Sequence, residues 1–274
     1  MDETSRRTYL KGTAAGAATL GLAGCLGFGG GSGENTIQIG SDIPYPPFEY
    51  TTTEGELRGF DVDIAEAVFG DQLGMNPNFQ DTSFDTIINS LKAKNFRVIM
   101  SAMTITETRA ESVDFSDPYF TAYQTIVVRQ DSPIDEKSDL KGKTVGVQKG
   151  TTGESAAQEL KAEFNGDLQI NSYDQIAAAF SSLLNNQVVA VINDNTVSAE
   201  YVSKNPEDLR FVEGEGAATE QGREAPPYLT LTVEDYGIAF RQDDDDLRAD
   251  VNEALATIRE NGTYDEIYNE YFAG

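Results

Sequence analysis

Along most of the chain, short apolar segments of strand length alternate with longer segments in which apolar residues recur at helical spacing. We predict strands at 36–40, 96–100, 125–129, 143–148, 188–193 and 236–241, and helices at 60–73, 84–94, 152–164, 175–186, 245–261 and 264–272. Strands separated by helices pair in parallel through right-handed crossovers. This order of elements therefore predicts an α/β fold.

The segment QKGTTG at 148–153 connects a predicted strand to a predicted helix. In α/β sheets, ligands bind at the carboxyl ends of strands, close to the N-termini of the helices that follow. We therefore expect this turn to contribute to a binding site.

The first 34 residues depart from this alternation. SRRTYLK at 5–11 resembles the twin-arginine export motif, and the Ala- and Gly-rich stretch after it is shorter and less apolar than the roughly 20 residues of a membrane-spanning helix. LAGC at 22–25 resembles a lipobox, whose cysteine sulfur accepts a diacylglyceryl group. We expect residues 1–24 to be a signal peptide and residues 25–34 to be a lipidated Cys25 with a Gly-rich tether. Such an anchor would hold the protein at the outer face of the cell membrane.

Composition excludes several classes of function. The 274 residues include no histidine and one cysteine, which excludes intrachain disulfides, zinc sites of the Cys/His kind and histidine-based catalysis. The formal net charge of −26 makes nucleic acid and anionic lipid poor partners. The acidic residues are spread along the chain as in proteins of halophiles, and the run at 243–246 is interpreted as a solvated turn because it lacks the spacing of a calcium-binding loop. We expect no cofactor and no metal.

Several short motifs follow one another through the rest of the chain. They are IGSD at 39–42 running into YPPFE at 45–49, GFDVD at 59–63, MSAMTITETR at 100–109 with VDFS at 113–116, VGV at 145–147 leading to Gly153, and RENGTYDEIY at 259–268. From residue 35 to residue 274, this ordered set resembles family 3 of the solute-binding proteins, the polar amino-acid receptors of ABC importers.

The resemblance implies a type II periplasmic-binding-protein fold, in which two α/β lobes, each a mostly parallel sheet flanked by helices, are joined by a two-strand hinge. Lobe 1 would comprise residues 35–122 and 233–274, and lobe 2 would comprise residues 123–232. The resemblance also implies a monomeric binding protein, not an enzyme, that closes around a polar amino acid and delivers it to the permease of an ABC importer. Two alternatives stay open, a ligand-sensing receptor partner and a dehydratase of the same fold.

The resemblance assigns the two charged groups of an amino acid to residues on opposite lobes. Arg109 matches the family's carboxylate-binding arginine, whose planar fork suits a carboxylate, and Asp194 matches the acceptor of the α-ammonium group. Taken alone, Arg109 would equally suit a helix-surface ion pair, and Asp194 would suit a turn. Tyr45 and Phe84 match two aromatic residues that flank the ligand, although each would more often belong to a core.

Four further residues are expected to hydrogen-bond the ligand carboxylate. Thr104 and the backbone around Ala102 would do so from lobe 1. The turn formed by Thr151 and Thr152 would offer helix N-terminal amides from lobe 2.

The side-chain end of the ligand is indicated by three polar residues. Gln148, Asp42 and Asn193 together favour a polar side chain, uncharged or cationic, such as that of glutamine. Asp61 and Asp63 are interpreted as structural residues at the start of a helix, where they face the positive end of its dipole.

Overall fold

The structure, a computed structural model, describes residues 35–224 and 226–272. Its strands are β1 (Thr36–Ser41), β2 (Tyr50–Thr51), β3 (Leu57–Arg58), β4 (Asn76–Asp81), β5 (Val98–Ile99), β6 (Asp114–Phe115), β7 (Phe120–Arg129), β8 (Thr144–Gln148), β9 (Gln169–Tyr173), β10 (Ala190–Asp194), β11 (Leu209–Phe211), β12 (Thr230–Tyr236) and β13 (Ala239–Phe240). Its helices are α1 (Phe60–Ala65, continued by a π-helical segment, Glu66–Gln72), α2 (Phe84–Lys92), α3 (Glu107–Ala110), α4 (Thr152–Glu163), α5 (Ile176–Leu184), α6 (Asn195–Lys204), α7 (Ala217–Glu220), α8 (Asp245–Glu260) and α9 (Thr263–Phe272), with a 3₁₀ turn at Lys137–Leu140.

The predicted signal peptide, Cys25 and the tether lie outside the described residues, so the predictions made for them stay predictions. Within the ranges that are described, no helix combines the length and the apolar character needed to cross a membrane.

Two sheets form the centres of two lobes. The first sheet has the strand order β4-β1-β5-β13-β6, and the second has the order β11-β7-β10-β8-β9, with β12 paired to β7. The ladders of β1 with β4 and β5, and of β8 with β9 and β10, are parallel, as expected for strands connected through helices. The ladders formed by β7 and by β13 are antiparallel, so both sheets are mixed.

Strands β7 and β12 connect the lobes. They pair antiparallel from Phe120 opposite Tyr236 to Thr125 opposite Thr230, with an irregularity between Thr230 and Thr232. Strand β7 also pairs with β10 inside the second sheet, whereas the chain after β12 returns to β13 in the first sheet. This antiparallel pair is the two-strand hinge of the fold. The lobe boundaries placed from the sequence after residues 122 and 232 stay predictions.

An aromatic cluster joins the C-terminal helix to the hinge side of lobe 1. Phe60 of α1 is fully buried, and the rings of Phe48, Phe120 and Phe272 surround it at centroid distances of 5.1 to 6.1 Å. Burying one such side chain contributes about 1.5–3 kcal/mol. Because Phe120 begins β7 and Phe272 ends α9, this cluster fixes the start of the hinge against the rest of lobe 1.

Two predicted elements differ from the observed ones. The helix predicted at 60–73 changes from α to π geometry after Ala65, and the strand predicted at 236–241 divides at Gly237 between β12 and β13. A Cβ at Gly237 would lie 2.9 Å from the Ile105 side chain, so a larger residue here would require that side chain to move.

The sequence did not predict strands β2, β3, β4, β6, β9 and β11 or most of β12. Two of these, β4 and β9, were missed because they lie at sheet edges. Strands β4 and β9 are the outermost parallel strands of the two sheets. Their side chains are exposed or half-buried along the whole strand, so the sequence lacks the apolar alternation of a half-buried strand.

Candidate functional site

One cavity lies between the lobes, at the ends of parallel strands. Asp42 follows β1 and Ser101 follows β5 in lobe 1, while Gln148 ends β8 and Asp194 ends β10 in lobe 2. The space that protein atoms do not fill, counted together with the open solvent at the mouth of the cavity, is about 300 Å³. Its lining comprises Ser101 and all ten of the predicted ligand-binding residues, namely Asp42, Tyr45, Phe84, Ala102, Thr104, Arg109, Gln148, Thr151, Thr152 and Asp194. Their contact with a ligand stays a prediction, but the fold brings them to one place.

Hydrogen bonds connect the two lobes across this cavity. Tyr45 Oη donates to Asp194 Oδ2 at 2.5 Å, and Asn193 Oδ1 lies 3.0 Å from the same hydroxyl. Gln148 Nε2 donates to Asp42 Oδ2 at 2.5 Å. In each of these bonds one residue belongs to the first sheet's lobe and its partner to the second, so the lobes meet around the cavity.

Arg109 is a fixed cation at the cavity wall. Its backbone N–H is held by the Thr106 hydroxyl, which caps the short helix α3. Its guanidinium donates to the carbonyl oxygens of Thr104 at 2.8 Å and of Gly150 at 3.2 Å, and its central carbon lies 5.1 Å from the centre of the Phe84 ring. Burial lowers the pKa of Arg109, yet a guanidinium remains charged throughout the physiological range. The side chain therefore bridges the lobes and offers its remaining N–H groups to an anion.

Asp194 is a buried carboxyl group that favours a neighbouring cation. Its two oxygens accept hydrogen bonds from Gln124 Nε2 and from Tyr45 Oη. Burial raises the pKa of Asp194 to about 7, and the negative charge of Glu234 adds to the effect, while the bond from Tyr45 opposes it. A cation placed against this carboxyl group would lower its pKa and stabilise the ionised form.

Asp42 is a second carboxyl group in the cavity, with partners different from those of Asp194. Its Oδ2 accepts from the backbone N–H of Phe84 at 3.2 Å and from Gln148. Burial raises the pKa of Asp42 to about 6; the Phe84 N–H opposes this shift, and the nearby charge of Asp81 adds to it. At neutral pH Asp42 is therefore mostly ionised.

A buried pair of acids supports the lobe 1 wall beneath the cavity. Asp61 accepts from the backbone N–H of Ala102 at 2.8 Å and from Tyr119 Oη at 2.8 Å, while Ser101 Oγ donates to Glu49 Oε1 at 2.9 Å. Ala102 has a φ of 45°, which non-glycine residues adopt rarely, so the bond to Asp61 holds this loop in its conformation. Burial raises the pKa of Asp61 to about 7, and burial together with Asp61 raises the pKa of Glu49 well above its ordinary range. Asp61 is therefore structural, as expected from the sequence, but its role extends beyond the start of α1 because it also holds the loop at Ala102.

Three polar residues of the site escaped sequence reasoning. Ser101 lies in the cavity wall, and Gln124 and Glu234 lie on the hinge strands with 1% and 6% of their surface exposed. The sequence could have indicated Gln124 and Glu234, because both occur in the segments predicted to form the hinge. An amide or a carboxylate is buried in a strand only where it has hydrogen-bond partners.

Comparison with known proteins extends over nearly the whole described chain. Residues 37–274 match the sequence model of the bacterial extracellular solute-binding proteins, family 3. ABC transporter arginine-binding protein 1 of Escherichia coli is 33% identical over 243 residues, which are 89% of this chain and 93% of that protein. The arginine-, lysine-, histidine-binding protein ArtJ of Geobacillus stearothermophilus has a TM-score of 0.75 and 37% identity over 87% of this chain and 96% of its own. An ancestral arginine-binding protein bound to glutamine has a TM-score of 0.76 and 36% identity over 88% of this chain and 99% of its own.

Proposed function

The chain belongs to family 3 of the bacterial extracellular solute-binding proteins, and we propose that the amino acid it captures is cationic, with L-arginine preferred. As a member of this family it is an extracytoplasmic binding protein that captures a polar amino acid for an ABC importer. Our proposal goes beyond family membership only in the side chain of that amino acid.

The proposal that the ligand is cationic rests on the charged residues of the cavity. Arg109 and Asp194 match the carboxylate and the ammonium group that every α-amino acid has. Asp42 is a further carboxyl group, which a neutral side chain would leave without an opposite charge. A guanidinium has five N–H donors and a permanent positive charge, so it would pair with Asp42 and still reach other acceptors.

Glutamine, an example of the polar side chains, uncharged or cationic, that the sequence favours, fits the same cavity less completely. Gln148 and Asp42 both offer acceptor oxygens to a side-chain amide, and the ancestral relative bound to glutamine supports such binding. An amide carries no charge to set against Asp42. We therefore propose that L-glutamine binds about tenfold or more weakly than L-arginine, since hydrogen bonds to charged groups contribute more than neutral ones.

Binding and closure are coupled because both lobes line the cavity. A ligand that contacts Arg109 on lobe 1 and Asp194 on lobe 2 stabilises the closed arrangement by its greater affinity for it. Tyr45 and Phe84 would cover the aliphatic part of the ligand and exclude water, which strengthens the ionic contacts.

A thermal-shift screen of the full-length chain against the twenty amino acids, in molar salt, tests the proposal. L-Arginine should raise the melting temperature most, and L-glutamine should raise it less. A larger shift with glutamine, or none with any cationic amino acid, would overturn the assignment. Because we propose binding without turnover, NMR should recover the bound amino acid unchanged after prolonged incubation, and appearance of a deaminated or dehydrated product would show an enzyme.

We also propose that the protein is exported through the twin-arginine route and anchored by a lipid on Cys25, as the sequence predicts. Cys25→Ser should release the exported protein into the medium, whereas retention at the membrane would contradict the anchor. Replacing Arg6 and Arg7 together by Lys should keep the precursor in the cytoplasm.

The proposed habitat and oligomeric state have separate tests. A net charge of −26 repels itself, so we propose that the fold is adapted to high salt and that its melting temperature rises as sodium chloride increases to molar concentration. We propose a monomer, which light scattering coupled to gel filtration would show directly.

A further inference from the structure

Glu234 is a buried carboxylate on hinge strand β12 that contacts both lobes. Its Oε2 accepts hydrogen bonds from Thr104 Oγ1 of lobe 1 and Thr152 Oγ1 of lobe 2, each at 2.7 Å. Its Oε1 accepts from Thr232 Oγ1 at 2.9 Å. The amide nitrogen of Gln124, which can only donate, lies 3.4 Å from Oε2. Glu234 is therefore surrounded by donors: it accepts from three threonine hydroxyls, and the Gln124 amide, whose two protons also serve Thr152 and Asp194, lies beside it.

These bonds determine what the two threonine hydroxyls can offer to the cavity. A hydroxyl has one proton to donate and two lone pairs that accept. Since Thr104 and Thr152 both line the cavity and both give their proton to Glu234, they face the cavity as acceptors. One lone pair of Thr152 is already engaged, because Gln124 Nε2 donates to it at 3.2 Å. The Thr104 oxygen lies 3.4 Å from Thr152 Oγ1 but receives no proton from it, because Thr152 donates to Glu234. The Thr104 oxygen is consequently the freer acceptor of the two.

An amino acid presents opposite requirements at its two charged groups. Its α-ammonium group has three protons to donate and no lone pair, whereas its α-carboxylate only accepts. A hydroxyl that is fixed as an acceptor therefore suits the ammonium group and cannot donate to the carboxylate. Gln124 Nε2 also donates to Asp194, so one amide connects the Glu234 cluster to the carboxyl group assigned to the same ammonium.

We propose that Glu234 is a positioning residue for amino-acid binding: by holding the hydroxyl proton of Thr104, it makes this oxygen an acceptor for the ligand's α-ammonium group, beside Asp194. The proposal rests on the proposed function and differs from the expectation that Thr104 donates to the ligand carboxylate. It assigns the carboxylate to Arg109 and to the backbone amides at the start of α4, and the ammonium to oxygens alone.

Glu234→Gln tests the proposal, because an amide of the same size can donate to Thr104 and release its proton toward the cavity. Isothermal titration of the full-length chain compares L-arginine with agmatine, which lacks the α-carboxylate, and with 5-guanidinopentanoic acid, which lacks the α-ammonium. Loss of a hydrogen bond to a charged group should weaken L-arginine and agmatine by about tenfold. 5-Guanidinopentanoic acid should bind the variant within about twofold of the unmodified chain, since it does not use the altered acceptor.

The opposite pattern overturns the proposal. If Thr104 instead donates to the carboxylate, Glu234 competes with the ligand for its proton. Glu234→Gln would then leave agmatine unchanged and tighten L-arginine and 5-guanidinopentanoic acid. Equal weakening of all three ligands would indicate a structural role only and would likewise overturn the proposal.

Two further variants control for the loss of one negative charge and for a possible failure of Glu234→Gln to fold. Glu163→Gln removes the same charge from the exposed surface of lobe 2, where Glu163 pairs with Lys137 at 3.0 Å, and it should change none of the three affinities by more than about twofold. If Glu234→Gln fails to fold, Thr104→Val should show the same selective loss for ligands that carry the ammonium group. Failure of the unmodified chain to bind L-arginine would refute the proposed function instead. The same comparison would then use the amino acid found in the thermal-shift screen and its two truncated analogues.

Discussion

Asp42→Asn should remove the preference for arginine over glutamine that we assign to the negative charge of Asp42. Asparagine keeps the size of the side chain, and its oxygen can still accept from the Phe84 backbone N–H. The change removes only the negative charge that we assign to the ligand's guanidinium. Glutamine, which brings no charge to this part of the cavity, should lose little.

The magnitude follows from the surroundings of Asp42. The residue is 5% exposed, so solvent screens a charge pair there only weakly. Hydrogen bonds to charged groups contribute about 1.5–3 kcal/mol, so the dissociation constant for L-arginine should rise roughly 10- to 150-fold. The constant for L-glutamine should stay within about threefold.

The pH dependence gives the same contact a second readout. The pKa of Asp42 is raised to about 6 in the empty cavity, and a bound guanidinium would lower it. The affinity for arginine is therefore close to its maximum at pH 7 and above, about twofold lower at pH 6 and about tenfold lower at pH 5 from this group. Asp194, with a pKa of about 7, adds a loss at low pH that arginine and glutamine share because both carry the α-ammonium group. The ratio of the two affinities isolates Asp42.

Isothermal titration at pH 7.5, 6 and 5 measures both effects. Asp81→Asn is the matched control, since it removes an exposed charge beside Asp42 and outside the cavity lining. Its arginine affinity at pH 7.5 should stay within about threefold of the unmodified chain. An Asp42→Asn variant that binds arginine as tightly as before, or an arginine-to-glutamine ratio that does not change with pH, would refute the reasoning.

Two other variants test closure and the carboxylate clamp. Gly150→Ala should weaken arginine binding by about tenfold or more and reduce the compaction seen by X-ray scattering, because its Cβ would lie 2.9 Å from the Asp85 backbone on the other lobe. Gly166→Ala is the control, because Gly166 also has a positive φ but has open space around its Cβ, so this variant introduces backbone strain alone. Equal losses of binding in Gly150→Ala and Gly166→Ala would contradict an effect on closure. Arg109→Lys should raise the dissociation constants of arginine and glutamine alike by about 10- to 100-fold, because an ammonium replaces a planar fork. Arg129→Lys serves as its control, since Arg129 pairs with the exposed Asp131 and lies outside the cavity lining. A threefold or smaller loss in Arg109→Lys would exclude Arg109 as the carboxylate clamp.

The α/β order could be predicted from the sequence because it depends on local patterns of apolar residues, whereas the cavity residues were assigned from the resemblance to the family. Arg109 ends one of the short motifs, and Asp194 directly follows the strand predicted at 188–193. The carboxyl ends of parallel strands meet at one edge of each sheet, and the two-lobed fold that the resemblance implies brings the edges of the two sheets together around one cavity.

The acceptor cluster around Glu234 could not be predicted in this way. Gln124 and Glu234 are 110 residues apart and come together only because β12 pairs with β7 in one register, which places Thr232 opposite Gln124 and Glu234 opposite Ala122. Register in a hinge is set by the packing of both lobes, and a shift of one residue would turn Glu234 away from Thr104. The edge strands were missed for a different reason, since their exposed side chains carry no alternating pattern.

A crystal structure of the full-length chain with L-arginine tests the central claim most directly. The account predicts the ligand guanidinium within hydrogen-bond distance of Asp42, the α-carboxylate on Arg109 and the α-ammonium group on Asp194. A ligand bound in the reverse orientation, or with its guanidinium away from Asp42, would contradict it.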